Sequence, residues 1–192
     1  MNSSKGKLRI IGGKYRSRLI EVPARPGLRP TPDRVRETLF NWLGQSLAGY
    51  ACLDLFAGSG ALGFEAASRG ARRVVMVERD RSARHALAAN CERLGARAVE
   101  LVAGDALAWL TQAAERFEVV FLDPPFRQNV LPRLLEQLPR VLGARARVYL
   151  ESERALEAQG AWRELRAARA GQVSYQLLEW SGDDPGDLSG NI

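Results

Sequence analysis

Histidine is all but missing: the chain of 192 residues holds one, His85, beside two cysteines, Cys52 and Cys91. With no CxxC spacing and a single imidazole, neither a zinc site nor a disulfide framework is expected. The cysteines read as small buried apolar residues of a protein in a reducing cytoplasm. No metal is expected. His85 falls in a helical stretch away from any strand end, and so reads as packed or solvated rather than catalytic. Long apolar runs are missing too. None nears the roughly 20 residues that cross a bilayer, and none follows Lys5, Lys7 and Arg9, so neither a membrane partner nor a secretory signal is expected. Acids are scarce in the first 36 residues. There, ten Lys and Arg face only Glu21 and Asp33, a balance of +8; the remaining 18 basic and 20 acidic residues give −2, within a total of +6. A basic arm on a near-neutral body is the charge pattern of a phosphate-binding attachment. A merely solvated tail is the plainer reading.

What is present fits one globular domain of ordinary size, with 46% hydrophobic and 26% charged residues. Residues 8–22 read as two short strands around a Gly12-Gly13 turn, where both glycines tolerate positive φ. A proline-rich connector, Pro23 to Pro32, leads to a helix that Thr31 can cap, with Pro32 and Asp33 suited to its first turn. Val35, Leu39, Trp42, Leu43 and Leu47 give that helix a buried face. Strands at 52–56, 73–78, 99–103, 117–123 and 147–152 then alternate with helices at 61–68, 80–94, 105–114 and 131–142, the last interrupted by Pro139. A final hairpin spans 163–170 and 172–180. Alternation of this kind predicts a mostly parallel, doubly wound α/β sheet of about seven strands, closed by an antiparallel hairpin. The expected organisation is a basic extension of hairpin and helix over 1–48, a sheet domain over 49–180, and a flexible tail over 181–192.

Ligands of such sheets bind at the carboxyl ends of the strands, and the chemically suggestive residues fall there. Asp54, Phe56, Ala57, Gly58, Ser59 and Gly60 form a tight turn into a helix, where glycine lets a ligand approach the backbone. Glu78, with Arg79 beside it, ends the second strand, placed to accept both hydroxyls of a ribose. Asp105 follows the third, placed to take an adenine amino group, with Ala106 offering its amide. The pattern Gly58-x-Gly60-x-x-Gly63 also satisfies a dinucleotide fingerprint. An acid inside the preceding strand, Asp54, instead suits a cationic cofactor such as S-adenosylmethionine, which has no pyrophosphate to neutralise. The sharpest motif is Asp123-Pro124-Pro125-Phe126 after the fourth strand. A base amine is a poor nucleophile because its lone pair is delocalised; it must be pyramidalised and aimed at the methyl group. Asp123 and the Pro124 carbonyl can accept its two hydrogens, the prolines bring no competing N–H, and Phe126 offers a stacking face. The plainer reading, a helix cap followed by a proline turn, leaves the coincidence with the glycine loop unexplained. Lys14, Arg16, Arg18, Arg29, Arg34 and Arg36 are the expected phosphate contacts, with Arg127, directly after the motif, as another.

RIIGGKYRSR (9–18), GLRPTPDRVRETLFNWL (27–43), CLDLFAGSGALGFEAASRGA (52–71), VERD (77–80), LDPPF (122–126), YLESE (149–153) and AGQVSYQLLEW (170–180) together resemble the RsmD family of bacterial 16S rRNA guanine-N2 methyltransferases. The glycine loop and DPPF are shared with many amino-methyltransferases; the segment around RPTPDRVRETLFNWL is more particular. The resemblance implies a Rossmann-like class I methyltransferase fold and S-adenosylmethionine as cofactor. It implies methyl transfer to N2 of one guanine in 16S rRNA, within the small subunit or a late assembly intermediate, the base splayed into the pocket over Phe126. It places cofactor roles on Asp54, Phe56, Gly58, Gly60, Glu78 and Asp105, and catalysis on Asp123 to Phe126. A monomer is expected. The alternatives are a DNA adenine-N6 or cytosine-N4 methyltransferase, an NAD-dependent oxidoreductase, which leaves DPPF without a role, and a non-enzymatic RNA-binding module, which needs no cofactor loop.

Overall fold

Short runs of β-branched and apolar residues separated by helices can pair in parallel only through crossovers, and the first four strands of the body do so. The structure is a computed structural model describing residues 6–23, 31–125 and 130–182. The body strands are β3 (Ala51–Asp54), β4 (Arg73–Glu78), β5 (Val99–Ala103), β6 (Phe117–Leu122), β7 (Leu142–Ser152), β8 (Trp162–Ala170) and β9 (Val173–Trp180). Among the described residues they form one sheet in the order β5-β4-β3-β6-β7-β9-β8. It is parallel through β7, and β9 then runs antiparallel between β7 and β8. The mostly parallel α/β sheet expected from the alternation, and the Rossmann-like fold implied by the resemblance, are what is observed.

The pleat sorts side chains onto two faces. Cys52, Val119, Phe121 and Tyr149 pack with α1 (Asp33–Leu43), α2 (Ala61–Ser68), α3 (Arg81–Leu94) and the hairpin of β1 (Gly6–Arg9) and β2 (Leu19–Val22). Leu53, Val75, Val120 and Leu150 face α4 (Ala106–Gln112) and α5 (Leu131–Gln137). Helix α3 has both expected punctuation marks: Asp80 accepts the Ala83 amide at its start, and Gly95 takes the left-handed conformation at its end.

Three local expectations are corrected. The β1–β2 hairpin pairs Gly6 with Val22 through Arg9 with Leu19, but its loop is not a two-residue turn. Gly13–Tyr15 form a 3-10 turn that leans on α2: the Ser68 hydroxyl donates to the Gly12 carbonyl at 2.5 Å and accepts the Tyr15 amide at 2.8 Å. Gly13 sits at φ +71°, and a Cβ there would lie 1.9 Å from the Ser68 carbonyl oxygen, so docking rather than turn propensity shapes this loop. Thr31 does not cap α1, because its hydroxyl bonds Glu151 instead. Finally, Pro139 interrupts the helix as expected, α5 stopping at Gln137 and a 3-10 turn over Leu138–Val141 taking up the proline, so the departure lies in the strand that follows. Strand β7 then begins at Leu142, five residues before the predicted 147. It starts early because Leu142 pairs with Phe117 ahead of a bulge, after which Val119 pairs with Arg147.

Candidate active site

The parallel strands β3, β4, β5 and β6 end side by side, and an acid stands at or just after each end: Asp54, Glu78, Asp105 and Asp123. The loop after β3 is folded against two of them. Gly58 donates its amide to Glu78 Oε2 at 2.8 Å, and Gly63, in the first turn of α2, donates to Asp54 Oδ2 at 3.1 Å. Gly60 donates to the Ala57 carbonyl, Ala61 to the Ser59 hydroxyl, and Ala57 to the Val77 carbonyl. Gly63 is needed for packing, since a Cβ would meet Met76 Cε of β4 at 2.3 Å.

These bonds test which cofactor the loop fits. A pyrophosphate needs the glycine-loop amides free to face it. Here the amides of Gly58, Gly60 and Gly63 are bonded within the protein, two of them to carboxylates that would repel a phosphate. A carboxyl edge lined by acids fits a ligand with a cationic end and ribose hydroxyls, the chemistry of S-adenosylmethionine. Glu78, which also accepts the Asp80 amide at 2.7 Å on Oε1, is buried and fixed. Arg79 is exposed, and its carbonyl accepts from Arg84 at 2.6 Å. Asp105 is exposed and caps α4, its Oδ1 accepting the Leu107 and Ala108 amides at 3.0 and 3.2 Å. The Ala106 side chain belongs to the core beneath, and half-buried Phe56 packs on the same side of the sheet.

Asp123 and Pro124 lie at the carboxyl end of β6, Asp123 half-buried, Pro124 buried and Pro125 exposed. Phe126 and Arg127, like Arg29, lie outside the described residues. Burial first, then the charges of Glu151 and Asp54, hold the Asp123 carboxyl well above the usual carboxylate range. Burial pushes Asp54 up to about 7, opposed by the amides of Gly63 and Phe56, with Glu78 adding a smaller upward push.

Sequence reasoning gave no role to Glu151 and Tyr149, and gave Thr31 only that of a helix cap. The Tyr149 hydroxyl donates to Glu151 Oε1 at 2.7 Å, and Thr31 donates to the same carboxylate. Both Thr31 and Glu151 are buried. The available signal was an acid directly after the apolar run Val148-Tyr149-Leu150, one residue from the carboxyl end of β7.

The expected phosphate contacts divide. Lys14, Arg16 and Arg34 are exposed. Arg18 is exposed but reaches the last carbonyls of α3, donating to Arg93 O at 2.7 Å and Leu94 O at 3.5 Å. Arg36 is corrected: it is fully buried and bonded to Glu65, Asp33 and the carbonyls of Thr31 and Arg9. At the first turn of α1 it points the same way as Leu39 and Phe40, three and four residues on, which is the core face.

The chain matches the family described as conserved hypothetical protein 95 over residues 8–179. The ribosomal RNA small subunit methyltransferase D of Escherichia coli is 44% identical over 183 residues, covering 93% of this chain and 92% of that one. Its namesake from Haemophilus influenzae is 40% identical over 185 residues, covering 92% and 96%. The solved structure of yhhF from Escherichia coli superposes with a TM-score of 0.85 at 42% identity, over 93% of this chain and all of that one. These likenesses establish that the chain belongs to the RsmD family, that of the ribosomal RNA small subunit methyltransferases D.

Proposed function

We propose that this protein transfers a methyl group from S-adenosylmethionine to the exocyclic N2 of one guanine in 16S rRNA, acting on the small subunit or a late assembly intermediate. The observation that carries the reading is the meeting, at one sheet edge, of a glycine loop bonded to carboxylates with the Asp123-Pro124 corner. When bound, S-adenosylmethionine supplies a methyl group on a positively charged sulfur that leaves neutral. Asp54 and Glu78 would hold its cationic and hydroxyl-bearing parts, with Asp105 toward the adenine.

The chain's own work is orientation. Asp123 accepts one amino hydrogen and the Pro124 carbonyl the other, turning the nitrogen lone pair toward the methyl group. As the N–C bond forms, the nitrogen sheds a proton to Asp123. An acid raised by burial and like charges is a better base for this step than an ordinary carboxylate. Phe126 is proposed to stack the extruded base. Lys14, Arg16, Arg18 and Arg34, with Arg29 and Arg127, are proposed to hold rRNA phosphates. On this reading the protein works in the cytoplasm as a monomer, with residues 1–48 as its RNA-binding extension and 49–180 as its catalytic unit.

The test is transfer of labelled methyl to small subunits lacking native guanine-N2 methylation, followed by nucleoside analysis. Labelled N2-methylguanosine is expected. Asp123→Ala should lose it by at least about 100-fold while S-adenosylhomocysteine still raises the melting temperature. Label in duplex DNA rather than in the subunits would overturn the RNA assignment.

A further inference from the structure

The acid that sequence reasoning passed over stands level with the reaction centre. Strands β6 and β7 pair Phe121 with Tyr149 and Leu122 with Leu150; one residue further on stand Asp123 and Glu151. Strand alternation puts Glu151 on the face of Tyr149, and its carboxylate is fixed by two hydroxyl donors, Tyr149 at 2.7 Å and Thr31 from the start of α1. Two donors leave a carboxylate with acceptor capacity to spare. A buried acid fixed in this way, beside a second acid, needs further N–H donors.

The amino groups of the three amine-bearing bases differ in their neighbours. In adenine and cytosine the ring nitrogen beside the amine on the pairing edge is an acceptor. In guanine it carries hydrogen, so N1 and N2 present three N–H bonds in a row. Two adjacent acids with the Pro124 carbonyl match that row; an adenine or cytosine would set a lone pair against a carboxylate. We infer that Glu151 is the specificity-determining residue of this site, accepting the N1–H of guanine while Asp123 and Pro124 hold the N2 amine. This rests on the function proposed above. Burial raises both carboxyl groups, the charges of Glu151 and Asp54 raise Asp123 further, and the two hydroxyl donors already lower Glu151, in keeping with a pair that N–H donors relieve.

The experiment replaces the target guanine, in reconstituted small subunits, with 2-aminopurine, which keeps the N2 amine but has an acceptor at N1. Wild type should prefer guanine by at least about 100-fold in kcat/KM, as sites built around a hydrogen bond reject partners that cannot make it. Glu151→Gln, whose amide can donate to the N1 acceptor, should narrow that ratio at least about 10-fold while retaining the thermal shift with S-adenosylhomocysteine. An unchanged ratio in a folded variant, even with both rates lowered, overturns the inference and leaves the proposed function standing. Wild type inactive on guanine subunits overturns both. Should the Gln variant not fold, Tyr149→Phe, which removes one of the two donors that aim the Glu151 carboxylate and lets it turn from N1, takes its place: a narrowed ratio supports the inference and an unchanged one overturns it.

Discussion

Asp54 shows how a single buried group can tie function to stability. Its carboxyl is pushed up to about 7 in the fold, against an ordinary value of 3.8. An unfolded chain therefore ionises it first as pH rises, and the folded state loses ground between roughly pH 4 and pH 7. Asp123 and Glu151, also raised, push in the same direction. Urea unfolding of the ligand-free protein should thus show lower stability at pH 7.5 than at pH 5, with Asp54 alone contributing about 2–3 kcal/mol. Asp54→Asn keeps an acceptor for the Gly63 amide and should flatten the slope; a slope unchanged in that variant would show Asp54 ionising normally. A cationic ligand reverses the preference by favouring the charged carboxylate.

Among the elements, the junction of the hairpin, α1 and α2 is held by charge as much as by oil. Glu65 of α2 accepts the amides of Ile11 and Gly12 at 3.0 and 2.8 Å, Arg36 of α1 at 3.3 Å and Arg69 at 2.8 Å. Arg69 also lies over the Phe40 ring, 4.6 Å from its centroid. Removing one partner strands the others in a dry site. Arg36→Ala should therefore cost about 3–5 kcal/mol of stability, whereas Arg34→Ala, two residues away and exposed, should cost almost none; denaturant midpoints decide. The strands and helices of the body were legible because their apolar spacing is local information, as β4 over Arg73–Glu78 illustrates. The strand-end positions of Asp54, Glu78, Asp105 and Asp123 were legible because strand ends could be counted, whereas Glu151 was passed over. The Gly12-Gly13 loop and the Thr31 hydroxyl were not, since each takes its shape from a partner more than fifty residues away. Arg36 was readable, and its phase against Leu39 and Phe40 is the signal that was needed.

At the scale of the whole molecule, basic residues of the extension and the acid-bearing strand ends share one body. The apolar side chains of the hairpin and α1 join the same core as Cys52, Val119 and Phe121 of the sheet. Charge reversal of Lys14, Arg16 and Arg34 together should weaken RNA binding and reduce the slope of log affinity against log salt by about two to three. Binding with the original slope would remove these residues from the interface. The buried Glu65 junction sets a further condition on the substrate. On the proposed function, an extension locked to α2 would act as a fixed gauge: the span from gripped phosphate to reacting nitrogen could not stretch to suit a slack strand. An RNA whose own fold already presents backbone and base at that span is measured and accepted without being ordered first. A flexible copy of the same sequence must surrender its conformational freedom before it fits.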